Sequence, residues 1–449
     1  MFSNSFATLL SPDAIRPRNG VITFGFVGGN NRVSDVVQQN IRYLFKNLIE
    51  PFINVRFVET SGEGNINFQL HDNSDYYAYE LDHDVYLARR QDIGNDPSTS
   101  TSTDGFQNGF GSHGFMTLVH ETLHALGLKH PGNYNGEEGG TGPFLPYAAD
   151  NTTNSIMSYN FAGEGAITPM PYDIAALQYL YGARNLNSGN TTYQFSSVYS
   201  FSDGDRTWGS ARAASKLTLW DQGGTDTLDF SRLSSDASGY YLDASAGGIL
   251  TTHQALNAFE YKPKDTTNPH TARQKTSPYG TRLTFNTQVE KIVGSHSRDT
   301  ILAGDYTQQI WGLGGHDSIT GSAQSDRLWG GDGNDMLTGG GGDDRLAGSD
   351  RIVSNEQDHL YGGAGRDSFI LGSNQGSFYQ GNGHAVIKDW QAGQDKILLG
   401  RTSGRYSTQF QKLSGGAALD TGIYHNNDLI GVIEDSTNVS VARGDFAFV

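Results

Sequence analysis

The sequence contains no cysteine, which excludes disulfide bonds, thiolate metal ligands and cysteine nucleophiles. Basic residues are also scarce: 31 Lys and Arg stand against 48 Asp and Glu, a formal net charge of -17. This excess of negative charge argues against nucleic acid or an anionic membrane as a partner. No apolar run approaches the length of about 20 residues that spans a bilayer. We therefore expect a protein without a membrane span that is stabilised by packing and by bound cations.

Glycine is abundant instead, with 58 residues in a chain of 449. A chain of this length can form two domains with separate cores. Near residue 186 the composition changes to Gly, Ser, Asn, Thr and Asp with short strand patterns. We predict a first domain at residues 1–185 and a second at residues 186–449.

The stretch from His120 to His130 has the spacing of a zinc site. Residues four apart share one face of a helix, so His120 and His124 can present ring nitrogens to the same ion. Gly127 can adopt a positive φ and end the helix, so that the chain turns back and brings His130 toward the other two histidines as a third ligand. Three protein ligands leave one coordination position open, as in catalytic zinc sites. Glu121 is placed to take a proton from a water molecule rather than to be a ligand.

Residues 155–159 read Ser-Ile-Met-Ser-Tyr and supply the downstream Met-turn that accompanies this motif in metzincin proteases. The two motifs together resemble the serralysins, secreted bacterial zinc metalloproteases that carry calcium-binding repeats. The resemblance covers about residues 20–185. It implies that Met157 forms an apolar floor beneath the metal and that Tyr159 is a displaceable zinc ligand that also steadies the oxyanion. It further implies protein or peptide substrates and a proteinaceous protease inhibitor as a partner.

Apolar and β-branched runs between Gly- and Asn-rich breaks predict an α/β core for the first domain. Ser34 is placed to cap the first helix, and Asp173 to begin the last one as a helix-start carboxylate rather than a catalytic one. The predicted strands are residues 21–27, 53–59, 65–70 and 84–88, and the predicted helices are residues 34–50, 114–128 and about 173–181.

Two segments should surround the cleft. Residues 94–113 are rich in Ser, Thr, Asn and Gly, which predicts a loop at its rim. His113 ends this loop, and we expect it not to be a ligand. We interpret the strand at residues 84–88 as exposed and able to pair with an extended substrate by β-augmentation.

A register of nine residues begins at Gly294 and continues for six units. Its sixth position is Asp in every unit except the second, where Gln308 stands, and its eighth is Ile or Leu. This matches the nonapeptide of calcium-binding parallel β-helices, in which glycines make the turns and aspartate supplies hard oxygen ligands. Two units make one turn of the coil, so residues eighteen apart should stack, with calcium between the turns. The predicted calcium-site residues are Gly312, Gly314, Gly315, Asp317, Asp326, Gly330, Gly331, Gly333, Asp335, Gly339, Gly340, Gly342, Asp344, Gly363, Gly365 and Asp367.

The units that start at residues 294, 303 and 321 lack most of their glycines, which argues against calcium near those turns. The polar residues 253–279 are interpreted as an exposed loop. Strands after Gly383 should cap the open end of the coil. The acidic-then-apolar residues 444–449 resemble the tail by which type I secreted proteins are recognised, although an ordinary terminal strand explains them equally well. Residues 1–17 show no general export signal, which favours secretion through the tail.

The sequence thus predicts an α/β zinc-protease (metzincin) domain followed by an all-β parallel β-roll. The expected function is that of a secreted, extracellular and monomeric zinc endopeptidase with several calcium ions, exported by type I secretion machinery. Its general base would be Glu121 and its oxyanion donor Tyr159. A rival from another class is a calcium-dependent structural or adhesive protein with a non-catalytic zinc site. A second rival is a zinc hydrolase that acts on something other than protein.

Overall fold

The computed structural model describes residues 5–92, 105–134, 142–185, 187–209, 214–265, 268, 270–401 and 403–449. The chain divides into two compact units. The first unit comprises Met1–Ser188, Trp208–Gln222 and Ala255–Thr287, and the second comprises Gly189–Thr207, Gly223–Gln254 and Gln288–Val449. The domain boundary at residue 186 stays a prediction, because two later segments return to the first unit.

The first unit contains a five-stranded sheet. Its strands follow the order β2-β1-β3-β5-β4, and all pair in parallel except β4, which is antiparallel to β5. The strands are β1 (Val21–Phe26), β2 (Arg56–Glu59), β3 (Ile66–His71), β4 (Ala78–Leu81) and β5 (Asp84–Ala88).

The prediction that β5 is the exposed strand is wrong, because β5 pairs with β3 on one side and with β4 on the other. The sheet ends at β4, which the sequence analysis missed. A two-residue turn joins β4 to β5, and both of its residues, Asp82 and His83, have positive φ. Such turns usually contain Asn-Gly or Asp-Gly, so the Asp-His pair gave a weak hairpin signal.

Helices cover this sheet. The hydroxyl of Ser34 accepts the backbone N–H of Val37 and caps the first helix as predicted. That helix continues into a π-helical segment up to Ile49. Its fully buried Phe45 packs against Phe57, with ring centroids 4.2 Å apart, which joins the helix to the sheet. The helices are α1 (Asp35–Tyr43), α2 (Arg89–Asp92), α3 (His113–Ala125) and α4 (Pro171–Tyr181), with a π-helical segment at Leu44–Ile49 and 3₁₀ turns at Ser5–Leu9 and Gly29–Asn31.

The interpretation of residues 253–279 as an exposed loop is wrong in part, although most of the described segment is turn or irregular chain. It contains a short antiparallel hairpin, with buried Tyr261 and Ser277 near its two ends. Its strands are only three residues long, too short to show periodicity in the sequence. The further strands of the first unit are Lys216–Leu219, Phe259–Tyr261, Gln274–Thr276 and Gly280–Leu283, and Thr207–Gly209 spans the point where the chain enters it.

The second unit is a parallel β-roll. Ile310 pairs with Leu328 in one sheet and Ile319 with Leu337 in the other, each eighteen residues apart. All four side chains are fully buried between the sheets. The predicted fold class is therefore confirmed, because two nonapeptide units make one turn with the aliphatic position inside.

Two large sheets contain most strands of this unit. One contains, in spatial order, Phe446–Phe448, Lys396–Leu399, Ser368–Ile370, Arg345–Ala347, Arg327–Asp332, Gln309–Gly314, Lys291–Val293, Thr227–Asp229, Thr192–Ser197 and Ser200–Ser202. The other contains Tyr406–Gln411, Asp420–His425, Asp428–Ile433, His384–Ile387, Gln357–Ala364, Met336–Gly341, Ser318–Thr320, Asp299–Leu302, Tyr240–Asp243 and Ile249–Thr252. Two short pairs join Val353–Ser354 to Tyr379–Gln380 and Gly372–Ser373 to Gly376–Ser377.

The strands after Gly383 continue both sheets of the roll. His384–Ile387 pairs in parallel with the roll strand Gln357–Ala364, and Lys396–Leu399 with Ser368–Ile370. The terminal strand Phe446–Phe448 pairs with Lys396–Leu399. Its role as a secretion tail stays a prediction. Within the described ranges no helix is long and apolar enough to cross a membrane.

Candidate active site

Helix α3 carries the histidine motif. The hydroxyl of Ser112 accepts the backbone N–H of Phe115 and caps its start. Gly127 follows its end with φ of +89°, which side chains other than glycine rarely adopt. A Cβ at this position would also lie 2.6 Å from the Cβ of Ala14. The predicted helix stop at Gly127 is confirmed on both grounds.

The three imidazoles of the motif converge. The Nε2 atoms of His120 and His124 are 3.2 Å apart. The Nε2 atom of His130 lies 3.2 Å from that of His120 and 3.0 Å from that of His124. Zn–N bonds of about 2.0–2.1 Å at tetrahedral angles would place ligand nitrogens about 3.3 Å apart. The triangle is therefore close to the size that one zinc ion requires. Among the described residues these three form the one group of at least three His, Cys, Asp or Glu side chains whose potential ligand atoms all lie within 4.8 Å of one another.

The opposite ring nitrogens fix the orientation of two of these rings. Nδ1 of His120 lies 2.9 Å from the carbonyl oxygen of Ile156, and Nδ1 of His124 lies 2.8 Å from that of Leu128. A neutral ring that donates through Nδ1 presents the Nε2 lone pair to a metal. Burial, followed by the neighbouring His124 and His130, lowers the pKa of His120 well below its ordinary value. Lone pairs that converge on one point need a cation, so these residues fit zinc.

Glu121 follows the first ligand on the helix and lines the same cavity as His120. Its side chain is buried, with 7% of the residue exposed. His113 also lines this cavity, and its ring centroid is 5.2 Å from that of Tyr77. The cluster of converging histidines does not include it.

The Met-turn is held by a buried carboxylate of α4. Asp173 accepts the hydroxyl of Ser155 at 2.6 Å and the backbone N–H of Ile156 at 2.7 Å. It also accepts the backbone N–H of Met170 at 2.9 Å, at the start of the helix. The predicted helix-start role of Asp173 is confirmed, but the sequence did not reveal its second role in the turn. Met157 is fully buried within this turn.

Tyr159 lies beside the histidines. Its ring centroid is 4.2 Å from that of His130 and 4.8 Å from that of Tyr134. The residue is 39% exposed, so it lies at the surface of the cavity. Its predicted roles as zinc ligand and oxyanion donor stay predictions.

A buried network around Asp150 supports this tyrosine and was missed by the sequence analysis. Its carboxylate accepts hydrogen bonds from the hydroxyls of Tyr134 and Ser158 and from the side-chain amide of Asn160. Burial raises the pKa of Asp150, while these donors act in the opposite direction. Nothing in the spacing of these residues indicated that they would meet.

The cavity has a volume of about 480 Å³. Helix α3 contributes His113, Met116, Thr117, His120 and Glu121, and the segment before and within β4 contributes Tyr77 and Ala78. The remaining lining residues are Thr152, Ile156, Ser158, Tyr159, Phe161 and Lys264. A cleft lined by the start of β4, by α3 and by the Met-turn segment can hold an extended chain beside His120. The predicted rim loop is described only from residue 105 onward, and its residues 94–104 lie outside the described ranges.

The aspartates of the nonapeptides form ladders along the roll. The backbone N–H of Asp317 donates to Oδ1 of Asp335, and that of Asp326 to Oδ1 of Asp344, both at 2.8 Å. The predicted stacking at eighteen-residue spacing is confirmed. Asp367 continues the second ladder by accepting from the N–H of Asp344.

Two further members of these ladders, Asp358 and Asp395, were not predicted from the sequence. Asp335 donates to Asp358, twenty-three residues later, and Asp367 donates to Asp395, twenty-eight residues later. The interruption after the sixth unit lengthens the turn, so the register of nine does not reach these positions. At the other end, both carboxylate oxygens of Asp299 accept hydrogen bonds from Ser295.

The ladder carboxylates fit calcium. Within the described part of the chain, each of five ladder aspartates has a buried carboxylate oxygen without a hydrogen-bond partner. Burial raises the pKa of Asp317 to about 9, that of Asp335 to about 8 and that of Asp344 to about 7. Ionised carboxylates at such positions require a bound cation. The five residues are Asp317, Asp326, Asp335, Asp344 and Asp367.

The glycines of the repeat allow the turns to approach one another. Gly331 and Gly340 occupy equivalent positions with φ of +110° and +107°. A Cβ on either would overlap the backbone carbonyl of the preceding coil turn, that of Leu313 or Ser322 respectively. The other predicted glycines line the same turns, and their contacts with calcium stay predictions.

Comparison with known proteins agrees with both metal-binding regions. The family described as "RTX calcium-binding nonapeptide repeat (4 copies)" matches residues 311–346 and 347–375. Serralysin C of Dickeya chrysanthemi is 44% identical over 137 residues, 28% of this chain and 28% of that protein. Metalloprotease AprA of Pseudomonas entomophila (strain L48) is 43% identical over 140 residues, 27% of this chain and 28% of that protein.

A longer match is the serralysin of Photorhabdus luminescens, 34% identical over 206 residues, 41% of this chain and 40% of that protein. Among solved structures, that of myroilysin aligns with 39% of this chain and 99% of its own, at 18% identity and a TM-score of 0.25, a likeness too weak to support an argument. The chain spans 28% of the length of the first two curated relatives. The predicted resemblance is confirmed: this chain resembles the serralysin-type metalloproteases and carries RTX calcium-binding repeats.

Proposed function

We propose that the chain is a zinc-dependent endopeptidase that cleaves peptide bonds of protein substrates. The observation that carries the proposal is the convergence of the Nε2 atoms of His120, His124 and His130 to within 3.2 Å of one another. Glu121, a buried carboxylate, lines the same cavity. The similarity to proteins named serralysin and metalloprotease supports the same activity.

The histidines would hold zinc through Nε2. A zinc ion bound there supplies Lewis acidity, which polarises the scissile carbonyl and lowers the pKa of a water molecule. Glu121 takes the proton of the attacking water and returns it to the leaving amine nitrogen. The hydroxyl of Tyr159 donates a hydrogen bond to the oxygen of the scissile carbonyl as negative charge develops on it.

A substrate would bind as an extended strand along β4. Ala78, its first residue, lines the cavity, and β4 ends the sheet order. The backbone groups on the outer side of an edge strand can pair with a peptide. The place of β-augmentation thus shifts from β5, where the sequence put it, to β4.

We also propose that the protein acts outside the cell after type I secretion. The acidic roll supports this, because extracellular calcium modules bind at about 10⁻⁴ to 10⁻³ M, far above cytosolic free calcium. A proteinaceous protease inhibitor stays a proposed partner, on the resemblance alone. The rival adhesive function gives no reason for a buried carboxylate beside the metal ligands.

The proposal is tested on the purified full chain, loaded with zinc and calcium, using an unfolded protein as substrate. We expect cleavage that a zinc-selective chelator stops and added zinc restores. In a metal-replete Glu121→Ala variant, cleavage should fall by about 10² to 10⁴, the usual contribution of a positioned general base. Zinc content and circular dichroism of the variant should match those of the wild type.

His113→Ala is the matched control, since His113 lines the cavity without joining the histidine cluster. It should retain zinc and a rate close to that of the wild type. Cleavage by Glu121→Ala at the wild-type rate, with zinc bound, would exclude the proposed mechanism.

A further inference from the structure

One lysine from the hairpin segment 255–279 reaches the cavity. Lys264 lines it together with His120 and Glu121. Its Nζ lies 5.8 Å from the ring centroid of Tyr159. Among the described lining residues, Lys264 is the only Lys or Arg. The mechanism proposed above gives this cation no role.

The backbone around Lys264 is fixed on both sides. The hydroxyl of Tyr261 donates to the carbonyl oxygen of Tyr147 at 2.7 Å, and the carbonyl oxygen of Pro263 accepts the hydroxyl of Thr271 at 2.8 Å. Lys264 is therefore held in place at its backbone, whereas its side chain is exposed at the cleft.

The backbone N–H of Lys264 itself donates to the side-chain oxygen of Asn160 at 2.7 Å. The amide nitrogen of Asn160 in turn donates to Asp150, the carboxylate that also holds Tyr134 and Ser158. One hydrogen-bond network thus positions both the neighbours of Tyr159 and the backbone of Lys264.

The neighbouring carboxylate has other partners. Asp265 accepts the hydroxyl of Tyr147 at 2.7 Å and lies at 3.5 Å from the amide of Asn133. Within the described ranges, the ammonium group of Lys264 has no ion pair at 4.0 Å or less. An ammonium group on a fixed backbone at the wall of a cleft is available to a carboxylate that enters with the substrate.

We propose that Lys264 is a specificity-determining residue, which makes the cleft favour peptides with an acidic side chain close to the scissile bond. The inference rests on the proposed peptidase function and adds a substrate class to it. Lys264 lies beside Tyr159 of the Met-turn segment, while Tyr77 and Ala78 line the cavity at the start of β4. Selection therefore comes from the substrate side chain that lies close to Lys264, and β4 binds the substrate backbone.

The test uses the zinc- and calcium-loaded full chain and a set of quenched fluorescent peptides. The peptides differ only in carrying Glu, Gln or Lys at successive positions on either side of the scissile bond. At one of these positions, the kcat/KM of the wild type should be about three- to tenfold higher for Glu than for Gln, the range of a single partly exposed charge pair. Added salt should reduce this ratio.

Lys264→Ala should bring the Glu-to-Gln ratio close to one, and Lys264→Glu should favour the Lys peptide at the same position. Lys262→Ala is the matched control, because Lys262 is exposed on the same segment and does not line the cavity. It should leave the ratio unchanged.

If the wild type cleaves the peptides but Lys264→Ala leaves the Glu-to-Gln ratio of kcat/KM unchanged, this inference is overturned and the proposed peptidase function is not. An equal fall in kcat for every peptide would also overturn it, since Lys264 would then act through Tyr159 rather than on the substrate. Failure of the wild type to cleave any peptide or unfolded protein would overturn the proposed function itself.

Discussion

The ring of Tyr159 lies against the imidazole of His130, with centroids 4.2 Å apart and planes tilted by 50°. The ring also stacks on that of Tyr134, with centroids 4.8 Å apart. Contacts with these two rings fix the plane of a side chain that is still 39% exposed. The position of the Tyr159 ring beside the three clustered histidines is therefore a feature of the fold itself.

Replacement of Tyr159 by Phe tests its proposed role. Since an oxyanion contact is made mainly in the transition state, kcat should fall by about ten- to a hundredfold while KM changes little. Steady-state kinetics on one quenched peptide give both values. Tyr179→Phe is the control, because Tyr179 is exposed and lies outside the cavity lining. A change confined to KM would make Tyr159 a substrate-binding residue.

Asp173→Asn should destabilise the first unit. The carboxylate accepts three hydrogen bonds, from Ser155, Ile156 and Met170, and an amide would turn a donor toward one of these donors. We expect a loss of about 2–4 kcal/mol in the free energy of unfolding, measured by denaturant titration. In the control Asp35→Asn, at an exposed first-turn acid, the change should stay within about 0.5 kcal/mol. Equal losses of unfolding free energy in Asp173→Asn and Asp35→Asn would mean that Asp173 does not hold the Met-turn.

Lys216 should make stability depend on pH. It is fully buried and donates to the hydroxyl of Thr152 at 3.2 Å. Burial lowers its pKa to about 7. Its unfolded pKa is about 10.4, so as pH falls from there the unfolded chain gains a proton before the folded chain does. The stabilising contribution is thus present above about pH 10 and decreases by at most about 1.4 kcal/mol per pH unit until about pH 7.

The measurement compares the free energy of unfolding of the wild type and Lys216→Met between about pH 7 and about pH 10. The variant should gain stability relative to the wild type as pH falls. Lys262→Met, at an exposed lysine, should follow the wild-type curve. Parallel curves for wild type and Lys216→Met would show that Lys216 titrates normally.

Removal of calcium should unfold the roll. The ladder aspartates are buried, and among the described residues five of them have a carboxylate oxygen without a hydrogen-bond partner. For the full chain we expect loss of β signal in circular dichroism under a calcium chelator and its cooperative return at about 10⁻⁴ to 10⁻³ M calcium. Asp335→Asn should raise the calcium concentration at the midpoint, whereas Asp350→Asn, at an exposed position, should not.

A roll that stays fully folded in chelator, with a thermal unfolding curve unaffected by calcium, would contradict this prediction. So would equal midpoints for wild type and Asp335→Asn. Either outcome would leave the repeats as a scaffold that forms without the ion.

The sequence by itself determined the cluster of three histidines and the path of the roll. All three imidazoles lie within eleven residues, so helix periodicity and a positive-φ glycine, Gly127, decide where they point. The repeat is equally local, because a period of nine residues fixes which side chain enters the interior and which aspartates stack. Asp317 above Asp335 follows from counting along the chain.

Only the tertiary structure decided which groups surround these sites. The edge position of β4 depends on its pairing with β5, and Asp358 joins a ladder after a turn of twenty-three residues rather than eighteen. Lys264 reaches the cleft because its backbone bonds to Asn160, more than a hundred residues earlier in the chain. Such contacts join distant segments whose sequences carry no shared period, and their geometry is set by how the folded elements pack.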